Sequence, residues 1–128
     1  MELYNTMTIL KNLVDDYEEA IDKGKLAVAS RDVELILVFI DSSRDLLARS
    51  KPIITSTREV MHNITSENDK LVKYISVYYR MLVYISIPYI ADIVRAAADI
   101  LEKQGYSNEA GEARNLFKEY SSFLDTLK

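Results

Sequence analysis

Three glycines and two prolines are all the turn-forming punctuation available to these 128 residues. Sheet hairpins and phosphate-cradling loops draw on glycine, because they need positive φ or close backbone approach. A chain this poor in both residues is steered toward long helices joined by short turns. The apolar spacing agrees. Leu3, Met7, Leu10, Leu13, Tyr17 and Ile21 recur three and four residues apart, the signature of one helical stripe. Gly24 costs about 1 kcal/mol of helix propensity, yet Leu26, Val28 and Ala29 continue the apolar character. The first helix is therefore read through to about Ala29, stopping at Ser30-Arg31.

Asp32 suits an N-cap for a second helix. The uninterrupted apolar run Leu35 to Ile40, followed by Leu46, Leu47 and Ala48 at helical spacing, places that helix at the centre of the fold, touched on most sides. Ser50-Lys51-Pro52 reads as a break and restart, giving a short third helix from Pro52 to about His62. Ser66 and Asp69 approximate a capping box for the next one. From there Leu71, Tyr74, Ile75, Tyr78, Met81, Leu82, Ile85 and Tyr89 form a core-facing stripe, with Tyr79 and Tyr84 off it. Pro88 either kinks one helix spanning Glu67 to Gln104 or separates two, with Ser86 as the cap. Gly105 is a natural stop, and Ser107 caps a last helix over Asn108 to Leu127. The expectation is all-α: an antiparallel helical bundle of five or six helices, kinked or broken at Pro88, in a single domain over 1–128.

Twenty acidic against sixteen basic residues give a net charge of −4, so any binding to nucleic acid or an anionic membrane must be local. The absence of cysteine removes thiolate nucleophiles, zinc ribbons and disulfides. No signal pattern precedes Leu10, which makes the expected location cytoplasmic. One glutamine and no cysteine, beside thirteen isoleucines, follow the thermophile trend; an archaeal or viral source is the matching expectation. Met81 to Ala91 is uncharged but framed by Arg80 and Asp92, too short a run for the roughly 20 apolar residues of a span. Membrane insertion is not expected.

The lone His62 bounds the catalytic options. Glu59-Val60-Met61-His62 has the Glu-x-x-His spacing of ferritin-like di-iron bundles, but such sites need that motif twice. Arg58 and His62, in a small all-helical chain, make the protein similar to the HEPN family of helical ribonucleases in size and helix content. The resemblance implies a helical ribonuclease as one alternative. The family's motif sets its arginine and histidine further apart than the three residues separating them here, so no catalytic role passes to His62. Asp15, Glu18, Glu19 and Asp22 share one helix face and read as a solvated face. No catalytic residue, cofactor or metal is expected.

The segment Lys70 to Arg95 concentrates five tyrosines with Lys70, Lys73, Arg80 and Arg95 against Asp92 alone. Tyrosine and arginine anchor protein interfaces. The expected function is accordingly a non-catalytic interaction protein, a small subunit or adaptor that self-associates or docks on a larger assembly through Tyr79, Arg80, Val83 and Tyr84. Aromatics beside cations also stack bases and neutralise phosphates. The alternative is thus a nucleic-acid-binding accessory subunit using Lys70, Lys73, Arg80 and Arg95, or the cluster Arg44, Arg49, Lys51 and Arg58. Small helical subunits of CRISPR effector complexes are similar in size.

Overall fold

A computed structural model describes residues 3–63 and 70–127, and among them all regular secondary structure is helical. Four helices account for it: α1 (Leu3–Ser30), α2 (Val33–His62), α3 (Lys70–Lys103) and α4 (Ser107–Thr126). The expectation of five or six is corrected, because both prolines lie inside continuous helices. Ser66 and Asp69, expected to cap α3, fall outside the described residues.

The turn after α1 is tight. Arg31 takes a left-handed φ of 55°, reversing the chain, and Asp32 accepts the amide hydrogen of Leu35 at 3.2 Å as the N-cap of α2. The helix then passes through Pro52 without a break. Proline there removes one backbone bond, but Ser43, Leu46, Leu47 and Ser50 before it and Ile54 and Thr57 after it are all buried. Packing on both sides of the proline holds the axis continuous. Leu35 and Val38 are exposed, so the apolar run at the start of α2 is not enclosed as its composition suggested.

α3 solves its proline differently. Lys70–Met81 and Ile87–Lys103 are α-helical, and between them Leu82–Ser86 forms one π turn, with the Ile87 amide bonded to the Leu82 carbonyl five residues back. A proline ring at position 88 would collide with the carbonyl four residues earlier in a regular helix. The wider turn immediately before it relieves that collision without ending the helix. It also inserts one extra residue, and one residue is about 100° of rotation. The buried stripe consequently runs Ile75, Leu82, Val83, Ser86, Ile87, Ile90, Ala91, Ile93, Val94, Ala97, Ala98 and Leu101.

At its end α3 closes in a Schellman motif: Tyr106 donates to the Leu101 carbonyl at 2.9 Å and Gly105 to that of Glu102 at 3.1 Å, with Gly105 at φ +89°. Ser107 is the first residue of α4 and not its cap; Tyr106 precedes it with no side-chain cap bond. Successive helices run antiparallel, which leaves α1 and α3 side by side and parallel. Gln104, just past α3, donates to the Arg31 carbonyl at the far end of α1, 3.1 Å away.

The centre holds a polar seam inside an apolar core. The Tyr17 hydroxyl lies 2.7 Å from Ser50 Oγ, which itself donates to the Leu46 carbonyl, and Tyr120 donates to the Ser43 carbonyl at 2.5 Å. These bonds tie α1 and α4 to α2. Burial pushes the Tyr17 phenol up to about 12 and that of Tyr120 up as well. Gly24 faces the Phe39 ring across α1 and α2, close enough that no side chain fits between them.

Candidate interaction surface

The rotation introduced by the π turn brings Ile85 and Tyr89 to solvent on the edge that Tyr74, ahead of the turn, already occupies. Tyr74, Ile85 and Tyr89, expected in the core, are 51%, 61% and 41% exposed, and Tyr84 is 67% exposed. Val83, expected on the surface, is 4% exposed and belongs to the core; that position is withdrawn from the surface. Tyr79 is half-buried, and partial burial pushes its phenol up against the opposing charge of Arg58. Arg80 is exposed, with Nε donating to the Ser76 carbonyl at 3.3 Å.

Tyr74, Val77, Met81, Ile85 and Tyr89 follow one another at intervals of three or four residues, so they share one edge of α3, with Tyr84 beside it. Val77 is exposed and Met81 half-buried. Together they make a band about 22 Å long at the rise of a helix. α4 leaves it open. Arg114 of α4 pairs with Asp99 at 3.2 Å, and Arg95 stacks on Phe117 at 5.3 Å. Carried forward at that register, Thr126 comes level with about Ile87 of α3. The first half of α3 projects beyond this point, and there Val72, Lys73, Ser76, Val77 and Arg80 line a shallow depression.

The other border of the band is α1. Lys25 Nζ sits 5.1 Å over the Tyr89 ring, and hydrogen bonding and charge from Tyr89 push the lysine pKa up. Asp22 and Glu18 lie one and two turns back along that edge of α1. Asp22 and Asp92 therefore accompany Lys25 at the Tyr89 end of the band, Lys70 and Lys73 flank its Tyr74 end, and Arg80 stands near its middle.

The cations of the nucleic-acid alternative are not gathered on one face. Arg49 is bound to Asp16 at 2.6 Å, Arg44 to Asp41 at 3.0 Å, and Arg58 to the Thr126 carbonyl at 3.1 Å. Arg95 lies against Phe117 and 3.9 Å from Asp92. Lys51 is exposed on the α2–α4 side, beside Lys118 and Glu119. Lys70, Lys73 and Arg80 stand on α3 with the tyrosines, and Arg58 reaches Tyr79 from α2.

His62 is exposed as the last residue of α2. The α1 carboxylates are partly answered by ion pairs, Lys11 with Asp15 at 4.0 Å and Lys23 with Glu19 at 2.9 Å. Among the described residues no group of three histidine, aspartate or glutamate side chains is placed to hold a metal ion. α3 is, by length and composition alone, long and apolar enough to cross a membrane, and 56% of its most apolar window is buried inside the protein. No protein-family model, curated protein or solved structure matches this chain.

Proposed function

We propose that this chain is a non-catalytic interaction protein that docks, through the apolar edge of α3, on the helical face of another polypeptide. The observation that carries the reading is the run of large side chains from Tyr74 to Tyr89, open to solvent along one edge of a helix whose other side forms the core. Scattered exposed hydrophobics are ordinary, whereas a contiguous band of them marks an interface. Tyrosine, methionine and arginine are the residue types that interface centres favour. The test is a photo-reactive phenylalanine analogue placed at Tyr84, with Glu112 on α4 as the control position, irradiated in the cells that make the protein. Protein adducts at Tyr84 and none at Glu112 are expected; the same absence at both positions overturns the reading.

A further inference from the structure

Resting on that reading, we infer that the partner is a second copy of this chain, joined antiparallel along α3 about a two-fold axis through Met81. The band is close to a palindrome. Tyrosine stands at each end, an aliphatic residue next to each tyrosine, and methionine in the middle: Tyr74, Val77, Met81, Ile85, Tyr89. A two-fold contact requires a patch complementary to itself, with each residue i meeting residue j of the partner and the reverse. Reversing the direction of this edge lays Tyr74 on Tyr89, Val77 on Ile85 and Met81 on Met81.

Charge selects the same direction. Lys70 and Lys73 border the Tyr74 end, Arg80 stands beside the central Met81, and at the Tyr89 end Asp92 and Asp22 of α1 accompany Lys25, which stacks on the Tyr89 ring. Antiparallel pairing sets Lys70 across from Asp92 at both ends of the contact, with Lys73 within one turn of it. Parallel pairing sets lysine against lysine and aspartate against aspartate, which disfavours it.

The π turn is what permits the match. It lets Ile85 and Tyr89 emerge on the same edge as Tyr74 and Val77 while Val83 and Ser86 turn inward. An edge one helix wide and about 22 Å long falls short of the roughly 800 Å² per partner of a standard interface. The dimer is therefore a dissociating one, whose mass depends on concentration.

The chain contains no cysteine, so single cysteines report proximity without background. Sedimentation equilibrium over a hundredfold concentration range is expected to show a monomer–dimer transition, shifted at least tenfold to higher concentration by Ile85→Asp, whose side chain touches solvent in the monomer. Under mild oxidation Met81→Cys is expected to cross-link to itself. Tyr74→Cys and Tyr89→Cys should cross-link when mixed and not when alone. Self-linkage of Tyr74→Cys overturns the antiparallel arrangement. A wild-type chain that stays monomeric overturns the second copy as partner; if Tyr84 still forms adducts with a different protein, the interaction reading stands without it. Flotation with phosphatidylcholine–phosphatidylglycerol vesicles, in place of dimerisation, overturns both.

Discussion

Gly24 offers the sharpest test of the packing. A methyl group added there would lie 2.4, 2.8 and 2.9 Å from Cε1, Cζ and Cδ1 of Phe39, where ordinary contact begins at 3.4 Å. The ring edge would have to retreat about 1 Å to restore that contact. Phe39 is 3% exposed, so it has no solvent to retreat into. Overpacking of this kind costs about 1–3 kcal/mol. Alanine returns about 1 kcal/mol of helix propensity. The net expectation for Gly24→Ala is a loss of up to about 2 kcal/mol, or at most roughly 7 °C in Tm for a chain of this size. Gly111 supplies the control within the same molecule: it lies in α4 with nothing within 4 Å of an added methyl, so Gly111→Ala is expected to stabilise by about 1 kcal/mol. Urea unfolding followed by far-ultraviolet circular dichroism measures both. In a Phe39→Leu background the cost of Gly24→Ala should shrink or reverse, because the ring edge is gone. Equal stabilisation by the two alanines in the wild-type background would refute the close approach of α1 and α2.

Two further changes probe the interior. Pro52→Ala restores the missing amide donor to α2 and is expected to stabilise by about 1–2 kcal/mol, less than the ~3 kcal/mol of an interior proline because the unfolded chain also gains freedom; a loss in urea unfolding would show that proline is needed there. Because Tyr17 titrates at about 12 when folded and near 10 when unfolded, its stabilising effect is present below pH ~10 and lost as pH rises toward 12, a fall of roughly 2–3 kcal/mol. The urea midpoint should drop accordingly, and less so in Tyr17→Phe, whereas a midpoint independent of pH would contradict burial of the phenol.

Much of the helical layout could be read from spacing and caps. Asp32 caps α2 and Gly105 ends α3 because those jobs depend on local chemistry: a short side-chain oxygen for an orphan amide, and a residue free to take positive φ. The prolines misled because their cost is local and its compensation is not. Nothing near Pro52 in sequence announces that Tyr17 of α1 will bond to Ser50 and help keep the helix continuous. Gly24 misled the other way. Read alone it is a weak helix residue, and only the Phe39 ring shows that its lack of a side chain is what lets α1 and α2 approach.

The candidate surface depended on a phase that sequence spacing cannot supply. Counting by 3.6 from Leu71 assigns Tyr74, Ile85 and Tyr89 to the core and Tyr84 to the surface, and only Tyr84 follows that count. The single inserted residue changes Ile85 and Tyr89, which follow or lie in the π turn; Tyr74, ahead of it, is exposed because the buried stripe there runs through Ile75. Pro88 is the only local sign that such a turn is needed, and it marks the cause without marking which way the helix resolves it: a kink, a break or a π turn all relieve the same collision. The π turn alone keeps α3 continuous while rotating its two halves. The apolar residues of both halves can then serve two faces at once, Ile75, Leu82, Ile87 and Ile90 inward and Tyr74, Val77, Ile85 and Tyr89 outward. The proline that first looked like a boundary is thus the residue that sets the composition of the exposed edge.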